Sequence, residues 1–306
     1  MRTTMHFPST ICSLLLAAAV AMPLRAGATE PAGGEASCTG LLPGGVRTVA
    51  RVIDGETVGL DDGSELRLIG ALAPRAIDAG AEPGQWPMEL AATEALRALL
   101  LGASIELAVG GEARDRYGRW QAQAYRLGGG ARLWVQGHML EQGLARAVTL
   151  AGNRACAEAL LAAEAAARGA LRGLWAEAAY RPRPAELARE LLRYRSTFQL
   201  AEGRVARVAV VRGTIYLNFA RDWRSGFSAS LRGGDAAMLG THARDPRGLE
   251  GAMVRVRGWI EQRQGAQGPL IDLSAAGDLE VLDAGPPPAA EPAAKAPGLV
   301  ETGRQQ

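Results

Sequence analysis

The sequence is nearly without lysine. Lys295 is the one lysine among 34 basic residues in a chain of 306, alongside heavy use of alanine and glycine. That pattern is a compositional bias and does not by itself mark an arginine surface built for phosphate. Against 32 acidic residues the net charge is +2, which excludes bulk polycation character as an argument for nucleic-acid binding. Histidine is equally scarce, limited to His6, His138 and His242. The three cysteines, Cys12, Cys38 and Cys156, form no CxxC pair and no Cys/His cluster. A zinc site of ordinary ligand spacing is thereby excluded. The apolar run at residues 11–20 is too short to favour a membrane span.

That run does have the setting of a leader. Arg2 precedes it, and Ala26-Gly27-Ala28 follows as a small-residue cleavage site. Residues 1–28 are therefore expected to be a signal peptide. The chain is expected to leave by the Sec-type route for the periplasm or the exterior, with no membrane span in the mature form. Ile11 beside Cys12 is not the small residue that a lipoprotein site carries. Cleavage leaves Cys38 and Cys156, either as a disulfide or as two free thiols. An oxidising compartment favours the bond, which would contribute roughly 3–5 kcal/mol by closing so long a loop.

The organising stretch is Val46 to Arg75. Alternation through residues 49–53, the break at Asp54-Gly55, a second run from Thr57 to Leu60, the Asp61-Asp62-Gly63 turn and a third run at 66–69 read as three strands. Residues 72–86 read as a loop, 87–101 as a helix, 104–109 and 120–127 as strands, 133–142 as a helix closed by Gly143, and 156–171 as an alanine-rich helix. The expected fold is mainly β with α: a five-stranded OB-type barrel with three helices, followed by a second small OB-like β-barrel. Val52, Val58, Leu66, Leu68, Leu107, Ala122 and Leu144 are expected in the first core, with Trp175 closing the last helix. The expected organisation is a signal peptide at 1–28, a flexible arm at 29–44, the first domain at 45–178, a helical connector at 179–197, the second domain at 198–284 and a disordered tail at 285–306.

The strings RVIDGETV, RLIGALAPR, DRYGRWQAQAY, LEQGLARA and AEAAARGALRGLW follow one another between Val46 and Trp175. In that order they resemble the staphylococcal-nuclease-like, or thermonuclease, family. The resemblance implies an OB-fold phosphodiesterase that hydrolyses DNA and RNA with one Ca²⁺. Acidic residues would hold the metal, a Glu would serve as general base, and two arginines would bind the phosphate. Arg67 and Arg119 stand at the arginine positions, with Asp115 and Tyr117 matching beside the second. Guanidinium groups suit that role, because their planar donors match phosphate and never deprotonate. The acidic half departs from the pattern. Glu56 replaces the Asp of the turn and remains a candidate ligand. Leu72 replaces the second metal-binding Asp and offers no oxygen. Arg75 replaces the catalytic Glu and cannot accept a proton.

Three readings follow. The first is an exported thermonuclease-like protein with eroded metal and base positions, binding single-stranded nucleic acid or another phosphate-bearing ligand in a pocket made positive by Arg67, Arg75 and Arg119. The second is a working secreted endonuclease, for which Ca²⁺ would be the cofactor and Asp54, Asp61, Asp62 or Asp78 would rebuild the metal site. The bland reading of these aspartates is turn formation. The third is an envelope protein-interaction scaffold. In the second domain, Tyr216 and Phe219 near Arg221, Trp223 and Arg224 fit either base stacking with phosphate contacts or simple packing and ion pairing.

Overall fold

A computed structural model of the chain describes residues 38–79, 86–130, 132–150, 153–262, 265, 267–275 and 277–284. The expected signal peptide, most of the expected arm and the expected tail lie outside these residues. The described residues all fall within one unit of mutually contacting chain, residues 33–306.

The first part runs β1 (Leu42–Val52), β2 (Thr57–Leu60), β3 (Glu65–Leu68), β4 (Ala71–Leu72), α1 (Ala76–Ala79), α2 (Pro87–Leu100), β5 (Ser104–Val109), β6 (Trp120–Arg126), β7 (Leu133–Trp134), α3 (Val135–Glu141), β8 (Arg146–Ala147) and α4 (Ala157–Gly169). The strands order as β3-β2-β1-β5-β6-β7, and β3 also pairs in parallel with β6. That last pairing closes five strands into a barrel, which removes the exposed edges. Val58, Leu66, Leu68, Ile105, Leu107 and Ala122 fill its interior. Each large one contributes about 1.5–3 kcal/mol by leaving water.

The helices obey local rules. Pro87 opens α2, where its missing N–H costs nothing, and Ala92, Leu96 and Leu100 face the core at helical spacing. After α3 the chain turns at Gly143, with φ of +66°. A Cβ there would sit 2.1 Å from the Arg172 carbonyl oxygen, so glycine alone fits the approach.

Several expectations shift. β1 begins at Leu42, inside the expected arm, because Pro43-Gly44-Gly45 pairs with β5 through a register shift despite its loop-like composition. Just upstream, Cys38 is disulfide-bonded to Cys156. Residues 133–134 form a short strand against the end of β6 before α3 starts. Within the expected 72–86 loop, β4 takes in Leu72 and α1 spans 76–79. Leu144 is only partly buried against the first core. Trp175 leaves that core for a separate cluster.

The second part contains β9 (Arg183–Pro184), α5 (Ala188–Leu191), β10 (Phe198–Arg204), β11 (Arg207–Val211), β12 (Thr214–Asn218), β13 (Ser228–Arg232), β14 (Met253–Trp259), β15 (Glu261–Gln262), β16 (Pro269–Asp272) and β17 (Leu279–Asp283). The strands make two sheets, β17-β14-β10-β9 and β11-β12-β13-β16-β15, and because β10 leads into β11 and β14 into β15 this agrees with the expected second OB-like barrel. Both sheets enclose one core that includes Leu217, Phe227, Ala229, Val254, Val256 and Ile271. The expected connector belongs to this module. Arg183 and Pro184 pair with Ala201 and Glu202 on β10, and Ala185, Ala188 and Leu191 are buried in the second core.

The two parts meet along a seam. Leu72, Val148, Trp175, Tyr180, Phe198 and Leu200 form its apolar cluster. Beside it, the buried Arg146 of β8 pairs with the Asp78 carboxylate and donates through Nη1 to the Phe198 carbonyl of β10. Gln199 Nε2 donates to the Asp78 carbonyl at 3.2 Å. A second buried pair crosses the seam, from Arg257 of β14 to Glu164 of α4 at 2.8 Å. Glu164 also accepts from the Ala147 N–H, and Arg257 donates to the Ala147 carbonyl.

Candidate functional site

The site is built on the turn between β1 and β2. Asp54 accepts the Glu56 N–H at 2.8 Å, a local turn that leaves the Asp54 side chain occupied. Gly55 lets the turn lie against Ala73 and α2, since a Cβ there would come within 2.8 Å of Ala73 Cβ. Glu56 is consequently driven inward and is 3% exposed. Its Oε2 accepts the Ala73 N–H at 2.8 Å. Its Oε1 accepts from Arg75 Nη2 at 2.6 Å and lies 3.3 Å from Arg67 Nη2. Burial alone would pull the Arg75 pKa down. The charge and hydrogen bond of Glu56, with Asp78 and Asp54 nearby, outweigh burial and raise it.

Arg119 is held in a second acidic turn. Its Nε donates to Asp115 Oδ2 at 2.8 Å, and the backbone N–H groups of Tyr117 and Arg119 donate to Asp115 Oδ1. Burial works to raise the Asp115 pKa, but these hydrogen bonds and the Arg119 charge lower it overall. Tyr117 projects from this turn, 68% exposed. The Arg116 guanidinium lies 4.8 Å from its ring centroid and that of Arg119 5.3 Å. The parallel pairing of β3 with β6 aligns Arg67 with Gln121, two residues from Arg119, so the two arginine segments run side by side.

The expectation of a pocket cleared of acid is corrected by this geometry. The Glu56 carboxylate stands between Arg67 and Arg75, and Asp115 neutralises Arg119. Three guanidinium groups therefore face two carboxylates and keep a single positive surplus. The other aspartates weighed as replacements are engaged elsewhere. Asp62 caps the hairpin tip through the Ser64 N–H and hydroxyl, which with Arg47 hold its pKa down at about 2. Asp78 is committed to Arg146 in the seam, and Asp61 is an exposed residue of the hairpin turn.

A Ca²⁺ ion does not fit these residues. It needs six to eight oxygen ligands. Glu56 has both oxygens engaged by nitrogen donors, Leu72 is packed among Trp175, Phe198 and Leu200, and Arg75 brings a positive charge to the position of a base. Among the described residues, no group of three or more His, Cys, Asp or Glu side chains is arranged to hold a metal.

Some of the site escapes sequence reading. Arg146 lies in one of the motifs quoted above, but its partners are 68 and 52 positions away. Glu164 reads as a helix-surface acid, and only the fold shows it at 0% exposure facing Arg257.

A closed five-stranded barrel with α2, α3 and α4 around it, carrying two arginines at the junction of β3 and β6, defines an OB-fold domain. Residues 65–177 match the model of the staphylococcal nuclease homologue family. That stretch is similar to the domain of that family. The match takes in Arg67, Leu72, Arg75, Tyr117 and Arg119, and it starts after β1 and β2, which the barrel closure joins to the same domain. Among curated proteins none matches the chain.

Proposed function

We propose that this chain is an exported nucleic-acid-binding protein of the staphylococcal nuclease homologue type that does not hydrolyse its ligand by the calcium route. The observation that carries this reading is the state of Glu56. The one carboxylate retained at the metal position is saturated by the Ala73 N–H, Arg75 and Arg67. Arg75, at the general-base position, remains cationic and cannot take a proton from water at neutral pH. Losing a general base alone lowers the rate by about 10²–10⁴.

The binding surface in the first barrel is Tyr117 with Arg116 and Arg119 around its ring, and Arg67 on the neighbouring strand. An exposed ring offers a face to a base, and the guanidinium groups offer donors to phosphate. Export is supported by the leader-like residues 1–28 and by the Cys38–Cys156 disulfide, a bond that persists in oxidising compartments.

The test is incubation of the purified chain with Ca²⁺ and end-labelled single-stranded DNA or RNA. The expected result is retention of the intact strand, with an affinity that falls as salt rises. Cleavage that a chelator abolishes would overturn the proposal.

A further inference from the structure

Arg67, Arg75 and Arg119 of the first barrel are tied to carboxylates, whereas a set in the second module is not. On the outer face of the second module, β11 and β12 form a hairpin whose register sets Arg207 opposite Asn218 and Ala209 opposite Tyr216. The partner residues Val208 and Leu217 point into the core, so by strand alternation Arg207, Ala209 and Tyr216 lie on the opposite face, while Asn218 is buried at its edge, accepting from the Ser228 hydroxyl. The chain after β12 carries Arg221 and Trp223 over the end of this face. Arg207, Ala209, Tyr216, Asn218, Arg221 and Trp223 line a groove of about 290 Å³. That size lies near the lower end of ligand pockets, roughly 300–1,000 Å³, and suits one nucleotide unit better than a folded partner.

The charge in this groove is uncompensated. Among the described residues, neither Arg207 nor Arg221 has a carboxylate within ion-pair distance. The acids close by in sequence or on the same sheet are occupied. Asp222 accepts the Arg224 N–H and the Ser225 hydroxyl within its own turn. Glu250 accepts the Val208 N–H, and Asp272 accepts the Ser230 hydroxyl. Trp223 is 38% exposed and carries the Arg224 guanidinium 4.7 Å from its ring centroid. The groove thus joins two aromatic rings to two guanidinium groups that have no internal counter-charge.

The geometry points to a second binding site here, taking single-stranded nucleic acid, with a base stacked at Tyr216 and Trp223 and the flanking phosphates on Arg207 and Arg221. Flat rings beside cations select a strand whose bases are unstacked, because a duplex hides its ring faces. A neutral sugar or peptide would leave the arginines without an anion, and an acidic peptide would bring no flat ring to Tyr216 and Trp223. The site is separate from the Arg67–Arg119 surface, and its ligand class rests on the reading of the chain as a nucleic-acid binder.

The experiment uses the full chain in its oxidised form and a fluorescein-labelled fifteen-residue oligothymidylate, followed by anisotropy across salt concentrations. The Arg207→Ala/Arg221→Ala variant is expected to weaken binding at least tenfold and to flatten the log–log salt slope by roughly 1.4, the value for two lost phosphate contacts to a single strand. Unlabelled oligothymidylate is expected to quench tryptophan emission in the unmodified chain, and Trp223→Phe to remove that quench. All of these side chains face the groove surface, so the variants keep the core intact. Affinity within twofold of the unmodified chain, together with an undiminished quench in Trp223→Phe, would overturn the site. So would competition by polyglutamate at equal charge concentration, which would make the groove a general anion surface. If the site falls while the strand still binds uncleaved, the first barrel carries the binding and the proposed function stands. If the unmodified chain binds no strand at any salt concentration, both readings fall.

Discussion

At the scale of single residues, the seam is held by charges that have nowhere else to go. Arg146 is 2% exposed and satisfies Asp78 and the Phe198 carbonyl at once. Removing one member of such a pair leaves the other charge buried and alone, which costs about 3–5 kcal/mol. Arg146→Met is therefore expected to lower unfolding stability by about that amount in urea titration, and Arg146→Met/Asp78→Leu to regain most of it. Tyr180 gives a pH signature in the same place. Burial raises its hydroxyl pKa to about 12, and the Trp86 indole N–H donates to its oxygen at 2.8 Å. The folded pKa lies above the unfolded value of about 10, so the unfolded chain gives up this proton first. Stability from this group is complete below about pH 10 and drains away as pH rises towards 12. Urea midpoints of the unmodified chain and Tyr180→Phe are expected to differ most near pH 9 and to converge as pH approaches 12.

At the scale of elements, the strands and helices of the first barrel were the most legible part of the sequence. The Asp61-Asp62-Gly63 turn and the spacing of Ala92, Leu96 and Leu100 are local signals, and they are read without knowing what lies opposite. The start of β1 was not legible, because Pro43-Gly44-Gly45 has loop composition and becomes a strand only through pairing with β5. The residues that terminate and anchor that strand are distant. Cys38 precedes β1, and Cys156 stands at the N-cap of α4, 118 positions later. Cys38→Ser/Cys156→Ser is expected to lower stability by about 3–5 kcal/mol on the chain-entropy account, with amide exchange quickening first at the beginning of β1. Equal denaturation midpoints for the two forms would contradict this. The candidate site was legible in its residues but not in their pairing. Arg67, Arg75 and Arg119 were each identifiable from motif position. That Glu56 and Asp115 neutralise them depends on a turn folding inward at Gly55 and another closing at Gly118, and neither is visible in residue spacing.

At the scale of the molecule, the two modules share structure as well as a chain. Residues expected to link them are part of the second core, and the ion pairs Arg146–Asp78 and Arg257–Glu164 lie at their junction. A linker-joined pair would melt in two steps. This arrangement is expected to give a single calorimetric transition with equal calorimetric and van't Hoff enthalpies. A chain ending at residue 197 would expose Leu72 and Trp175 and remove Arg257 from Glu164, leaving it with Arg168, and it is expected to be recovered as aggregate or as a far less stable domain. Two well-separated transitions in the full chain would show the junction to be weak.

Leu72 links these scales. It occupies the position where the family resemblance implies a metal-binding aspartate, and its side chain now helps hold the second module in place. An aspartate at that position would put an unpaired charge among Trp175, Phe198 and Leu200 before it could gather any ligand. The leucine thus ties the site of the first barrel to the junction of the two modules, and a charge placed there would unsettle both at once.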